Sequence, residues 1–321
     1  MSKLQKMLAQ NEYLLADGGM GTMLMGLGLE QGDPPETWNE IHTDRIRGVH
    51  EAYIEAGAQI ILTNTFGGTR FRLKLHRLQD RAYDFNKAGA QLAREAVDAS
   101  GKEVIVAGSI GPSGEIMAPV GDLDFEDAVE GFAEQARGLA DGGADVLWIE
   151  TMSDLLEVEA AVTGIRQVTD LPIVSTMTFD TNGNTMMGIT PMKALTELNK
   201  MNLAAIGGNC GNGPEEIEGV IQKMYATDQT LTLVAKSNAG IPEYVNGHLH
   251  YNGTPEVMAE YAVKVRNFGA SIIGACCGSS PEHIKQMRQA LEINPINRVV
   301  IETSVNIGLP TKERRRRRRR G

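Results

Sequence analysis

The chain has 321 residues, of which 42% are apolar and 22% charged, with 36 Gly and 12 Pro. That balance excludes a disordered chain, and the length accommodates a single α/β barrel of about 250 residues with extensions. The formal net charge is −10, yet Lys312 and the seven arginines from Arg314 to Arg320 supply eight of the basic groups, so residues 1–311 carry 23 basic against 40 acidic side chains. So acidic a body is a poor partner for nucleic acid, whose binding rests on neutralising phosphates. No apolar run approaches the roughly 18 residues of a membrane span. Residues 1–10 carry Lys3 and Lys6 without an apolar stretch, so no signal peptide is expected and the cytoplasm is the default location.

In chain order, eight short β-type runs begin near Leu14, Gln59, Val104, Asp145, Pro172, Ala204, Leu231 and Ala270. Most are continuously apolar, as strands covered on both faces must be. Helical patterns fall between them at 77–99, 125–140, 155–168, 214–225, 255–268 and 281–291. Two open with Thr254-Pro255-Glu256 and Ser280-Pro281-Glu282, a capping hydroxyl followed by first-turn proline and an acid. A weak repeat recurs in Ala56-Gly57-Ala58, Gly142-Gly143-Ala144 and Phe268-Gly269-Ala270, where glycine ends a helix just before an apolar strand.

Eight strand–helix units predict a (β/α)8 TIM barrel over residues 1–295, followed by a C-terminal extension over 296–321 with the flexible arginine-rich tail. The competing open doubly wound sheet needs a phosphate-binding glycine turn after its first strand, and Gly19-Met20-Gly21-Thr22-Met23-Leu24 lacks the third glycine. The arginine run reads first as a solvated end, second as a contact for an acidic partner and third as an RNA-binding appendage to the enzyme body.

Reactive groups of a barrel sit at the carboxyl ends of its strands. Those ends hold Asp17, Thr63-Asn64, Gly108-Ser109, Glu150, Asn209-Cys210, Lys236-Ser237-Asn238 and Cys276-Cys277, which include every cysteine of the chain. Three thiols are too few, and odd in number, for a disulfide framework. Cys276 and Cys277 meet a turn at Gly278, which lets adjacent side chains converge rather than alternate. With Cys210 they form a set suited to Zn2+, three sulfurs and one open position, whereas an isolated cysteine would read as a small buried hydrophobe. Lys236 reads as a structural lysine that snorkels towards water.

Asp17-Gly18-Gly19-Met20-Gly21-Thr22, Thr63-Asn64-Thr65-Phe66-Gly67, Gly108-Ser109-Ile110-Gly111-Pro112, Ile149-Glu150-Thr151, Gly208-Asn209-Cys210 and Ala275-Cys276-Cys277-Gly278 resemble the zinc-dependent homocysteine S-methyltransferases. The resemblance covers roughly residues 10–292 and includes the betaine-type enzymes and the homocysteine domain of cobalamin-dependent methionine synthase. Ala275 departs from it, since the family usually has Gly there. The resemblance implies Cys210, Cys276 and Cys277 as zinc ligands and catalytic groups, and a homocysteine thiol activated by the metal to take a methyl group and give methionine. It implies Asp17 and Glu150 as partners of the homocysteine ammonium, with Asn209 and the backbone at Gly18 near its carboxylate.

A quaternary ammonium donor calls for an aromatic cage, for which Trp38, Phe66, Phe71, Trp148 and Tyr244 are the candidates. Trp38 and Phe66 follow the first two strands and are expected at the site, whereas Trp148 reads as barrel packing. Gly67 and Thr151 stand where animal betaine enzymes carry tyrosines. Single-domain bacterial proteins assigned to betaine–homocysteine methylation are more similar overall, through Leu62-Thr63-Asn64, Arg72-Leu73-Lys74-Leu75-His76 and Gly240-Ile241-Pro242-Glu243. A small onium donor, glycine betaine or a sulfonium analogue, is therefore expected, with a separate corrinoid protein, methylcobalamin or methyltetrahydrofolate as the alternative source. A homo-oligomer is a further expectation.

Overall fold

In the computed structural model, which describes residues 1–245 and 248–299, eight parallel strands stand in a ring surrounded by helices. They are β1 (Leu14–Leu15), β2 (Ile60–Leu62), β3 (Ile105–Ile110), β4 (Val146–Met152), β5 (Ile173–Met177), β6 (Ala205–Cys210), β7 (Leu233–Ser237) and β10 (Ala270–Ala275). Between β7 and β10 an antiparallel hairpin, β8 (Pro242–Val245) and β9 (His248–Tyr251), is an insertion that the sequence reading did not separate out. The sheet runs β1-β10-β7-β6-β5-β4-β3-β2, and a parallel bridge between Ala16 and Ile60 joins its two ends. The fold is a (β/α)8 barrel.

Two apolar layers explain the near-continuous hydrophobic runs. Inside the ring, Leu14, Ile60, Ile105, Val146, Trp148, Val174, Val234 and Ile272 form one cluster, and the amphipathic helix Lys3–Gln10 adds Leu4 and Met7 to it. Alternate residues such as Leu15, Ile61, Val106, Leu147, Ile206 and Ile273 face outward into the helices. Trp148 is fully buried in the inner cluster, with its indole N–H donated to Thr176 Oγ1. Burying a strand on both faces is the arrangement that parallel barrels require.

The helix-stop repeat is visible in the backbone: Gly57, Gly143 and Gly269 each have positive φ where the chain leaves a helix for a strand. Helices Leu155–Val168, Phe125–Asp141, Pro214–Thr227, Pro255–Asn267 and Pro281–Ile293 match the expected patterns closely. The pattern at 77–99 is shorter as a helix. Arg77 sits at positive φ, a single 3-10 turn follows, and the helix runs only over Ala82–Ser100. Thr254 caps its helix by accepting from the Val257 N–H, and Ser280 forms a capping box with His283. Among the described residues no helix is long and apolar enough to cross a membrane. Residues 300–321, with the run from Arg314 to Arg320, lie outside the described residues.

Candidate active site

A cavity of about 390 Å3 opens at the carboxyl ends of the strands. Asp17, Gly18, Ser109, Glu150, Cys210, Lys236, Cys276 and Cys277 line its inner part; Asp33 to Glu36, Phe66, Gly67, Arg72, Leu75 and His76 line its outer part. The outer part comes from the loops after β1 and β2, which fold over the barrel mouth.

Cys210 is the last residue of β6, and Cys276 and Cys277 directly follow β10. Their three Sγ atoms all lie within 4.8 Å of one another, and the Cys210–Cys276 separation is 3.1 Å. The thiols are free. Backbone placement produces this convergence. The Cys276 N–H bonds the Ser237 carbonyl at 2.7 Å, and the Cys277 carbonyl accepts from the Ala239 N–H at 2.9 Å. Asn238 ties the two cysteine segments together: its Nδ2 donates to the Gly211 carbonyl and its Oδ1 accepts from the Cys277 N–H. Cys210 itself has φ of 61°, a left-handed conformation costly for a residue with a side chain and common at functional sites.

Crowding three thiols sets their proton affinities. Cys277 accepts hydrogen bonds from Cys210 and Cys276, which hold it well below an ordinary thiol, so it ionises first. Cys210 donates to both neighbours and is pushed well above the usual range. The hydrogen bond with Cys210 pulls Cys276 down, but donation to Cys277, burial and the neighbouring charge outweigh it and take it up to about 12. A cluster that resists full ionisation while its sulfurs converge is suited to a cation that would displace the protons.

Around the thiols stand two carboxylates and one ammonium. Glu150, 7% exposed, accepts from the Ser109 hydroxyl at 2.5 Å; burial raises its pKa to about 7 against the pull of Lys236. Asp17 is held on both oxygens, by Lys236 Nζ at 2.9 Å on Oδ1 and by the Leu62 N–H at 2.7 Å on Oδ2. Lys236 therefore does not snorkel to water: it is buried in the ring, ion-paired to Asp17 and 5.5 Å from the centre of the Trp148 ring. Desolvation works against its charge, but Asp17 and Glu150 more than compensate and raise its pKa. An apolar strand ending in lysine gave no sign of that partner, because Asp17 lies 219 residues away in sequence.

Other residues singled out in the sequence take different places. Gly18 lines the cavity, and a Cβ there would lie 2.4 Å from Ser279 Oγ and 2.9 Å from Tyr53 Oη, so only glycine fits. Asn209 is fully buried and does not line the cavity. Its amide grips Thr151, accepting from the backbone N–H at 2.8 Å and donating to Oγ1 at 2.6 Å. Thr151 in turn directs its hydroxyl at Cys210 Sγ, 3.8 Å away. Phe66 lines the outer cavity and is 38% exposed. Trp38 lies behind the wall, 5% exposed, edge-on to His42 and beneath Arg45, while Pro34, Pro35 and Glu36 of its own loop reach the cavity. Phe71 packs against the core, and the Tyr244 side chain lies outside the described residues. Phe66 is thus the one Phe, Tyr or Trp among the described lining residues, which by themselves build no multi-ring aromatic cage.

Residues 14–291 match the family model for homocysteine S-methyltransferase. The methionine synthases of Mycobacterium tuberculosis and Mycobacterium leprae are each 31% identical over 91% and 90% of this chain. The chain spans about a quarter of the length of these curated relatives. Among solved structures, the homocysteine methyltransferase MmuM from Escherichia coli is similar in its oxidized, apo and metallated forms. Its oxidized form has TM-score 0.77 at 24% identity, covering 90% of this chain and 99% of that one. Its metallated form has TM-score 0.72 at 25% identity, covering 89% and 99%.

Proposed function

The chain belongs to the homocysteine S-methyltransferase family, and from that membership we propose that it transfers a methyl group from a small onium donor, glycine betaine or a sulfonium analogue, to the thiol of homocysteine, giving methionine. The observation that carries this reading is the convergence of Cys210, Cys276 and Cys277 within 4.8 Å on a cavity that also holds Glu150.

The donor set fits Zn2+. Three sulfurs at about 2.3 Å from a tetrahedral ion stand about 3.8 Å apart, so sulfurs already within 4.8 Å need only small side-chain rotations. Bound there by Cys210, Cys276 and Cys277, zinc would lower the pKa of an added thiol so that it is a thiolate at neutral pH. The chain's own residues orient the reactants. Glu150, fixed by the Ser109 hydroxyl, presents a carboxylate to the homocysteine ammonium. Asp17 already neutralises Lys236, and its oxygens keep lone pairs for a further donor, so it acts as a secondary contact. The missing Gly18 side chain makes room for Ser279 and Tyr53 behind the turn, and the Gly18 backbone lines the cavity where the substrate would lie. Asn209 serves as a positioning residue: it locks Thr151, whose hydroxyl steadies Cys210. Transfer forms the sulfur–methyl bond as the methyl–nitrogen or methyl–sulfonium bond breaks in line, with the electron pair leaving on the neutral amine or sulfide.

With Phe66 the one Phe, Tyr or Trp among the described lining residues, the carboxylates of the site take the larger share in attracting an onium group. A second source, methyl brought by a separate corrinoid protein, methylcobalamin or methyltetrahydrofolate, needs no aromatic cage, which suits a described lining with Phe66 as its one Phe, Tyr or Trp. One experiment separates them. Zinc-loaded protein with homocysteine is offered betaine, dimethylsulfoniopropionate, S-methylmethionine, methyltetrahydrofolate and methylcobalamin, and methionine is measured. Turnover confined to the last two would refute the onium reading. Metal analysis near one zinc per chain, lost in Cys276→Ser, checks the ligand set.

A further inference from the structure

The cavity offers three cationic or basic side chains: Lys236, Arg72 and His76. Lys236 is already paired with Asp17. Arg72 is different. It lies on the short helix Arg70–Lys74 after β2, exposed on the cavity wall; its guanidinium makes no hydrogen bond or salt bridge among the described residues, although its charge reaches the Glu36 carboxyl and favours the ionised form there. Its neighbour Arg70 is bound to Glu134 at 2.8 Å, and Arg81 to Glu40 and Asp84. Of these three arginines, the one that faces the cavity is the one without a salt bridge.

Ring geometry says which substrate it faces. In the order β1-β10-β7-β6-β5-β4-β3-β2, closed by the bridge between β1 and β2, strands β2 and β6 are diametrically opposed. Cys210 ends β6, and Arg72 belongs to the loop segment that follows β2. Homocysteine, with its sulfur at the thiols and its ammonium at Glu150 on β4, fills the inner half of the cavity. The outer half, walled by Phe66, Pro35, Glu36 and Leu75, remains for the donor. A donor entering there points its methyl inward to the sulfur and its far end towards Arg72. A guanidinium's planar fork matches a carboxylate on two oxygens, which an imidazole such as His76 cannot do.

Building on the proposed methyl transfer, we infer that Arg72 is a specificity-determining residue that binds the carboxylate of a zwitterionic donor. It selects small onium carboxylates over onium cations that lack the acid group. The inner half of the site fixes where the methyl must go, and Arg72 fixes the other end of the molecule.

The test compares matched donors with the zinc-loaded full chain: glycine betaine against tetramethylammonium, and dimethylsulfoniopropionate against trimethylsulfonium. The natural chain should prefer the carboxylate member of each pair by about 10- to 100-fold in kcat/KM, the range of a charge-assisted hydrogen-bond pair. Arg72→Gln should collapse that ratio to within about threefold through the donor KM, and Arg72→Lys should restore part of it, because lysine keeps the charge but not the fork. The homocysteine KM should not move. If Arg72→Gln keeps the full preference, the assignment is wrong. A raised homocysteine KM with the donor preference intact would assign Arg72 to the other substrate and equally overturn it. Failure of the natural chain to use any of the four donors would instead sink the onium reading itself, and the role of Arg72 with it.

Discussion

Lys236 Nζ and Asp17 Oδ1 stand 2.9 Å apart, and both side chains are only 2% exposed. The pair joins the end of β7 to the chain just after β1, so a salt bridge buried in the ring fastens its first and seventh strands. Burial raises the Asp17 pKa despite the ammonium beside it, a sign that desolvation is costly here.

Removing one partner leaves the other charge buried and unmatched. Lys236→Met should therefore destabilise the protein by about 3–5 kcal/mol, as breaking buried pairs does, whereas adding Asp17→Asn to it should recover most of that loss. Urea unfolding of the single and double variants measures the coupling. Simple addition of the two single costs would show that the pair does not act as a unit.

Cys210 carries a left-handed backbone for the sake of its sulfur. Cys210→Ala and Cys210→Gly should both abolish methyl transfer, since each removes the thiol. Without metal, however, the glycine variant should be the more stable by about 1 kcal/mol, because glycine takes φ of 61° without a steric penalty. Denaturation of the two metal-free variants side by side provides the comparison; an alanine variant as stable as the glycine one would show that this backbone stores no strain.

Glu150 sits where burial disfavours its charge and Ser109 partly restores it. Glu150→Gln keeps the shape and loses the charge that would meet an ammonium. It should raise the homocysteine KM about 10- to 100-fold, the value of a charge-assisted contact in a partly dry site, and leave zinc content near that of the natural chain. Ser109→Ala should shift the same parameter less. Loss of zinc without a change in KM would place Glu150 with the metal rather than the substrate.

Much of this architecture was legible in the sequence because its signals are local. Continuous apolar runs such as those at Val104 and Asp145 mark strands covered on both faces, and Gly57, Gly143 and Gly269 mark helix ends by the conformation they alone adopt cheaply. The convergence of three thiols followed from their positions at strand ends, since a barrel gathers those ends on one rim. What could not be read depended on contacts across the ring. Lys236 finds Asp17, Asn238 ties Gly211 to Cys277, and Asn209 holds Thr151 instead of lining the cavity, each through partners 27 or more residues away. Trp38 was expected at the site from its loop, but the 3-10 turn Pro35–Thr37 puts Pro34, Pro35 and Glu36 on the cavity and leaves the indole behind them.

His50 provides a prediction remote from the chemistry. It is fully buried on the helix Thr43–Glu55, and neither ring nitrogen has a hydrogen-bond partner among the described residues. Burial alone lowers its pKa from 6.5 to about 4. The folded state therefore holds the neutral ring, while the unfolded chain takes up a proton as soon as the pH falls below about 6.5. Above that pH the group makes no pH-dependent contribution. Between about 6.5 and 4 the unfolded state binds more protons, so stability falls with decreasing pH, by up to about 3 kcal/mol from this residue. His50→Leu removes the proton site and an unsatisfied polar ring together. It should leave stability at pH 7.5 unchanged or slightly higher and should flatten the decline between pH 6.5 and 4. Unfolding free energies measured across that range for both proteins decide the matter, and parallel curves would mean that His50 is not the group whose protonation drives the loss.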